Sequence, residues 1–590
     1  MSTKKSPLFD IQLFKDLLNY IRPYKVVFIS SIIFVVGLAI FGALRPYVLK
    51  EAVDVKISVK DYNGFLTYII IMIGLLMLEA IFQVLFIYSA AWLGQSVVRD
   101  IRVKLFKKIL SFKMAYYDKS SVGVLITRTV TDMERIADIF GQGLFMIVSD
   151  ILKMTVVAGI MIFMNWKLSL IVFTTLPLIL LATKIFQKYM KMAFQEVRNE
   201  IANLNSFVQE RIVGMKILQV FSRETIEMER FKAINNKHKK GWLKTVWYNS
   251  IFFPIAEILS SLTLGVVIWF GGINSVVSNL STQGELFAFI MMIPMMFRPL
   301  NQIANKFNTL QMGMVAADRV FKVLNTQSKI SNKGDYSPKN VSGNIAFKKV
   351  QFSYKEGEPV INDFTLDIKS GETIAIVGAT GAGKSTIISL LNRFYEIDSG
   401  IITLDGVDIN SFDLDSLRTH VAVVLQDVFL FADTILSNIS LNDESITQEN
   451  IKAAAKEIGI HDFIESLPES YNYNVKERGV MLSSGQRQLI SFLRAYVSNP
   501  AVLILDEATS SVDNQSEQLI QAATEKITSN RTSIVIAHRL ATIKKADRII
   551  VMDSGSIVEQ GTHDSLMKKP SGFYKKLYEA QFTKSETIEA

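Results

Sequence analysis

The stretch GATGAGKST, Gly378 to Thr386, is built from residue types that suit the holding of a phosphate chain. It matches the spacing G-x-x-x-x-G-K-[ST]. Glycine reaches left-handed backbone conformations without steric cost, so successive N–H groups can turn inward on an anion. The cradle would run through Gly378, Ala379, Thr380, Gly381, Ala382 and Gly383, with Lys384 reaching the outer phosphates of a nucleotide. The Ser385 hydroxyl would bind Mg²⁺, and Thr386 completes the motif. The flanks supply the required setting: ETIAIV reads as a buried strand and TIISLLNRF has helical apolar spacing.

A second constellation lies in AVLILDEATSSVD, Ala501 to Asp513. An apolar run ending in two carboxylates predicts a central parallel strand with its acids at the C-terminal edge, where α/β sheets bind ligands. Asp506 would then support Mg²⁺ and Glu507 would polarise an attacking water. Alone, such a pair is more often a solvated strand end; downstream of a phosphate loop the functional reading prevails. A third stretch, LSSGQ at Leu482 to Gln486, opens a predicted helix with two serines and a glycine. Serine hydroxyls and free N–H groups at a helix start suit an anion as well, so the chain carries two phosphate cradles.

In this order the motifs make Asn344 to Phe582 resemble the nucleotide-binding domain of an ABC transporter. The resemblance implies ATP and Mg²⁺ as cofactors. It implies that Tyr354 in FSY stacks on adenine, that Gln426 in VVLQD contacts Mg²⁺ and the water, and that His538 in IVIAHRL meets the γ-phosphate. Glu507, His538, Gln426 and Lys384 would be the catalytic set, with Ser385, Gln426 and Asp506 on the metal. LSSGQ matches the family signature, and in this family two such domains pair head to tail. Ser483, Gly485 and Gln486 would therefore close over ATP held by a partner, with Asp513 as the D-loop aspartate. Glu477 in VKERG matches a glutamate that exporters of this class turn toward the membrane domain. Three residues depart from the pattern: Ser484 and Lys476 stand at positions usually glycine, and Val512 replaces a more usual Ala or Leu.

The elements that must carry these motifs follow from hydropathy. A bilayer span needs about 20 mostly apolar residues. Val26 to Leu44, Phe65 to Leu93, Leu144 to Trp166, Leu168 to Thr183, Ile251 to Val277 and Leu286 to about Ile303 meet that need, predicting six spans. The expected architecture is a six-helix transmembrane domain over 1–325, a polar linker over 326–343, and an α/β phosphate-loop NTPase domain over 344–590. YYDKSSVGVLITRTVTD and QERIVGMKILQVFSRE resemble exporter intracellular loops, implying coupling helices at Tyr116 to Ser121 and Val213 to Leu218.

The net charge of +9 is best explained by basic cytoplasmic loops, Arg99 to Arg135 and Lys184 to Lys244, rather than by a nucleic-acid partner. That places both termini and the nucleotide-binding domain in the cytoplasm of an integral protein of the cell (inner) membrane. Zero cysteines exclude disulfides and thiolate metal sites. Five charges lie in the spans, Glu79, Asp150, Lys153, Glu257 and Arg298, of which Asp150 and Lys153 could pair at i, i+3. One nucleotide domain and one helix set imply a half-transporter, pairing with a second copy or with a homologous half-transporter. The expected activity is ATP-driven export of a hydrophobic or amphipathic substrate, lipid or drug-like; the alternative is an ATP-gated channel or regulatory receptor on the same scaffold.

Overall fold

The computed structural model describes residues 11–57, 60–277, 281–330, 332, 334–506, 514–537 and 540–581, with the side chains of 142, 274–277, 301, 303–305, 514–516, 541 and 581 also left aside. Two compact units emerge, one made of Met1–Leu110 and Val122–Gln327, the other of Ser111–Ser121 and Ser328–Ala590.

The first unit is helical. Its principal helices are Lys25–Glu51, Tyr62–Leu110, Phe145–Met164, Trp166–Val213, Glu224–Val277 and Gln283–Asn325. Among the described residues, five helices are long and apolar enough to cross a membrane. Gln283–Asn325, where the sixth span is expected, is not among those five; it runs over residues whose side chains lie outside the described set. Many large apolar side chains point outward, among them Leu66, Ile70, Ile73 and Met77. Such a surface fits lipid as solvent and not water.

At about 1.5 Å per residue, the 49-residue helix Tyr62–Leu110 is more than twice the roughly 30 Å of a bilayer's hydrocarbon, so its basic end must project beyond it. Only one residue separates Phe145–Met164 from Trp166–Val213: Asn165, whose side chain accepts the Leu168 N–H as N-cap and donates to Glu285 at 3.0 Å. Trp166–Val213 runs along Glu224–Val277, with Phe186 stacked on Phe252 at 4.0 Å and Lys244 bonded to Glu196.

Of the charges expected in the spans, Glu79, Asp150 and Lys153 are ion-paired between helices. Glu79 meets Arg45 at 2.7 Å and Lys153 at 3.9 Å. Asp150 meets Lys306 at 2.5 Å. This corrects the expected Asp150–Lys153 pair. Each finds its counter-ion on a neighbouring helix, a choice set by helix packing that local spacing does not record.

The second unit holds two sheets. The antiparallel one has the order β2-β1-β4-β5, with β1 at Ile345–Lys355, β2 at Glu358–Ile368, β4 at Ser399–Leu404 and β5 at Val407–Asp408. The other has the order β10-β9-β3-β8-β7-β6. Its strands are β3 Thr373–Gly378, β6 Val421–Val424, β7 Val502–Asp506, β8 Thr532–Ile536, β9 Arg548–Asp553 and β10 Ser556–Gly561. All its pairings are parallel except β9 with β10.

Alternation along these strands fills two cores. Ile374, Ile376, Ile504, Ile534 and Ile536 join the cluster with Phe347, Phe364 and Leu391. Ala375, Leu503, Leu505, Val535 and Val551 face the opposite way, into the cluster with Ile451, Ile490 and Leu493. A sheet covered on both faces presents its parallel strand ends as the place for chemistry.

Candidate nucleotide site

β3 ends at Gly378, and the loop that follows enters helix Lys384–Leu391 through two left-handed glycines, Gly381 at φ +85 and Gly383 at φ +96. A Cβ on Gly383 would stand 2.7 Å from Ile361 Cδ1, and one on Gly378 would stand 2.2 Å from the Met552 carbonyl oxygen. Glycine is demanded here both by conformation and by space.

Lys384 opens the helix with a buried side chain, its ammonium donating to Gly378 O at 2.8 Å and Ala379 O at 2.9 Å. Burial pulls its pKa below the ordinary lysine value, and the Asp506 carboxylate partly opposes that. The lysine is thus held on the loop by carbonyls that a phosphate's oxygens could replace as acceptors.

Asp506 ends β7, and Ser385 Oγ donates to its Oδ2 at 3.3 Å. These two hard oxygen donors, with no nitrogen or sulfur ligand, suit Mg²⁺. Register brings the C-terminal ends of β6, β7 and β8 to the same edge. Asp506 lies opposite Ile536 of β8, and Leu505 lies opposite Val424 of β6. Gln426 follows β6 by two residues and is exposed. Glu507, directly after Asp506, and also Asp513 and His538, lie outside the described residues.

Tyr354, near the end of β1, bonds through its hydroxyl to Thr386 Oγ1 at 3.2 Å while much of its ring remains exposed. The tyrosine therefore stands beside the phosphate loop with a face free for stacking.

LSSGQ does begin a helix, Ser484–Val497. Ser483 is its N-cap and forms a capping box with Gln486: Gln486 N–H donates to Ser483 Oγ at 3.2 Å, and Ser483 N–H donates to Gln486 Oε1 at 2.9 Å. Each of these two side chains thus accepts from the other residue's backbone N–H, while Gly485 is buried. The Ser483 residue is exposed, and its hydroxyl, which accepts the Gln486 N–H, keeps its own proton for a further acceptor. Ser484 stands in ordinary helical conformation, so nothing in the backbone there calls for glycine. Lys476 is different: its φ of 59 and ψ of −174 fall in a region that only glycine occupies readily.

One contact had no signal in the sequence. Tyr395 donates to Asp118 Oδ2 at 2.5 Å, across 277 positions of chain. In the helical unit, Glu257 ends a groove of about 450 Å³ along one helix face, lined by Ile258, Ser261, Leu262, Gly265, Val266 and Trp269.

Comparison with known proteins places these features. Residues 28–300 match the ABC transporter transmembrane region and residues 361–510 match the ABC transporter family. An ATP-dependent lipid A-core flippase of Mannheimia succiniciproducens is 35% identical over 582 residues, 98% of this chain and 99% of that protein. The putative multidrug export ATP-binding/permease protein YgaD of Bacillus subtilis is 36% identical, covering 96% and 99% respectively. The uncharacterized ABC transporter ATP-binding protein YknV of the same organism is 33% identical, covering 96% and 94%.

Proposed function

The chain belongs to the ABC transporter family, and from that premise we propose that two copies assemble into an exporter whose two ATP sites are each built from both subunits. It is an integral membrane protein and an ATPase coupled to transport, exporting a lipid or drug-like substrate. The channel reading is not favoured, since the relatives are named as flippases and exporters.

The observation that supports the composite site is the exposed start of the LSSGQ helix, whose capping box is complete in itself and leaves the Ser483 O–H to donate to a further acceptor. Lys384 and the backbone of Gly378 to Gly383 hold the phosphates, Tyr354 stacks on the base, and Gln426 and His538 position the water and γ-phosphate. Glu507 accepts the proton of the attacking water, and Ser483, Gly485 and Gln486 of the second copy close the site, with Asp513 at the seam. Mg²⁺ held by Ser385, Gln426 and Asp506 would neutralise charge between the phosphates.

Six spans per copy, two coupling helices (Tyr116 to Ser121 and Val213 to Leu218), and a linker over 326–343 before the 344–590 domain complete the reading. The second of these segments supports it by exposing Val213, Met215 and Ile217, apolar groups that suit a partner surface. The excess of Lys and Arg in the two long connections supports an inner-membrane protein with both termini cytoplasmic.

The mass of Glu507→Gln in lipid nanodiscs or detergent tests the pairing. With ATP and Mg²⁺ it is expected to be a dimer retaining two ATP per pair. A monomer under those conditions would overturn it.

A further inference from the structure

Tyr395 stands between two things that the fold has no evident need to connect. On one side its ring meets Tyr354 edge-on, with centroids 5.1 Å apart and planes at 87°. Phe352 packs against both, at 4.8 Å from Tyr354 and 5.7 Å from Tyr395, so the three rings form one aromatic block beside the phosphate loop. Tyr354 joins that block to Thr386 at 3.2 Å.

On the other side the Tyr395 hydroxyl donates to Asp118, on the six-residue helix Met114–Lys119. That helix belongs to the second unit although the chain on both sides of it belongs to the first. Beside it, Lys113 N–H donates to Ser328 O at 2.8 Å and Phe112 forms an isolated bridge with Lys329, while Phe112 packs on Tyr116 at 4.2 Å within the segment itself. Asp118 thus joins the helix to the aromatic block through a charged acceptor.

We propose that Tyr395 is a positioning residue through which the stacking of a base on Tyr354 tightens the hold of the unit on helix Met114–Lys119. The inference rests on Tyr354 being the base platform. Ordering Tyr354 restricts the ring at right angles to it, and a restricted Tyr395 presents its O–H to Asp118 with less loss of rotamer entropy, so one binding event favours the other. Linkage makes the effect reciprocal: gripping the helix favours the nucleotide. Burial and the Asp118 carboxylate both raise the Tyr395 pKa far above the usual phenol value, so the O–H remains a donor throughout the working pH range.

Hydrogen exchange of the full chain in nanodiscs, in a Glu507→Gln background with and without ATP and Mg²⁺, tests this without needing turnover. ATP is expected to slow exchange across residues 111–121 by roughly five- to tenfold, the scale of modest allosteric couplings. Tyr395→Phe, which keeps the ring and removes the donor, should abolish that ATP-dependent slowing while ATP affinity changes by no more than about the same factor. Asp118→Asn, which retains an acceptor, should preserve it in part; Asp118→Ala should not. Equal ATP-dependent protection in wild type and Tyr395→Phe would overturn the proposal, and so would an absence of protection in wild type that binds ATP. A chain that binds no ATP at all would instead refute the nucleotide reading on which it rests.

Discussion

At Lys476 a side chain occupies backbone space suited to glycine, and two residues later Arg478 is also left-handed, at φ 55. Conformations of this kind cost on the order of 1–3 kcal/mol each. Lys476→Gly is therefore expected to stabilise the nucleotide-binding unit by about 1 kcal/mol or more, and to raise its melting temperature by roughly 2–4 °C. Differential scanning calorimetry of the purified protein checks this, and an unchanged or lowered transition would contradict the strain. The opposite experiment belongs to Gly383, where alanine must adopt φ +96 and displace Ile361. ATP affinity of Gly383→Ala, read by equilibrium binding, should fall by more than about tenfold, since over 1.4 kcal/mol of strain is opposed only by the phosphate contacts.

The legibility of the site at this scale follows its chemistry. Lys384, Ser385 and Asp506 were readable because apolar strands announce where their polar ends must emerge, and only a few residue types can hold phosphate and metal there. Tyr395 was not readable: its partner Asp118 is a lone acid in a polar loop, and no local spacing records a contact made through the tertiary fold.

Helices show the same division. The extension of Tyr62–Leu110 and Trp166–Val213 beyond any bilayer thickness was visible as helical spacing continuing into basic sequence. The partners of the charges on these helices were not, since the choice between Lys153 and Lys306 for Asp150 depends on helix packing. Glu79 is the shared acid of Arg45 and Lys153, so removing it takes that counter-ion from two cations. Glu79→Ala is expected to cost about 3–5 kcal/mol and to lower the yield of folded protein, whereas Glu79→Leu with Arg45→Met should recover much of that loss. Thermal unfolding in one detergent, comparing the two variants, decides it; equal stability of Glu79→Ala and wild type would show that the cluster bears no structural load.

For the whole molecule, the two phosphate cradles of one chain make sense as halves of two sites. The loop Gly378–Thr386 lies at the C-terminal edge of a parallel sheet, while the capped helix at Ser483 is satisfied within itself and exposes its hydroxyl. On the proposed pairing, a single copy holds each half without completing either, and ATP between two copies would supply the missing contacts to both. Closure of the proposed pair, coupled to the long helices of the first unit, would convert hydrolysis into outward movement of an apolar cargo. The most direct test is ATP turnover by this chain alone, purified and placed in lipid nanodiscs, beside Glu507→Gln. Steady turnover by the wild-type chain that is abolished by the glutamine is the expected result. Well-folded chain that binds ATP but does not turn it over would contradict the claim that two copies suffice.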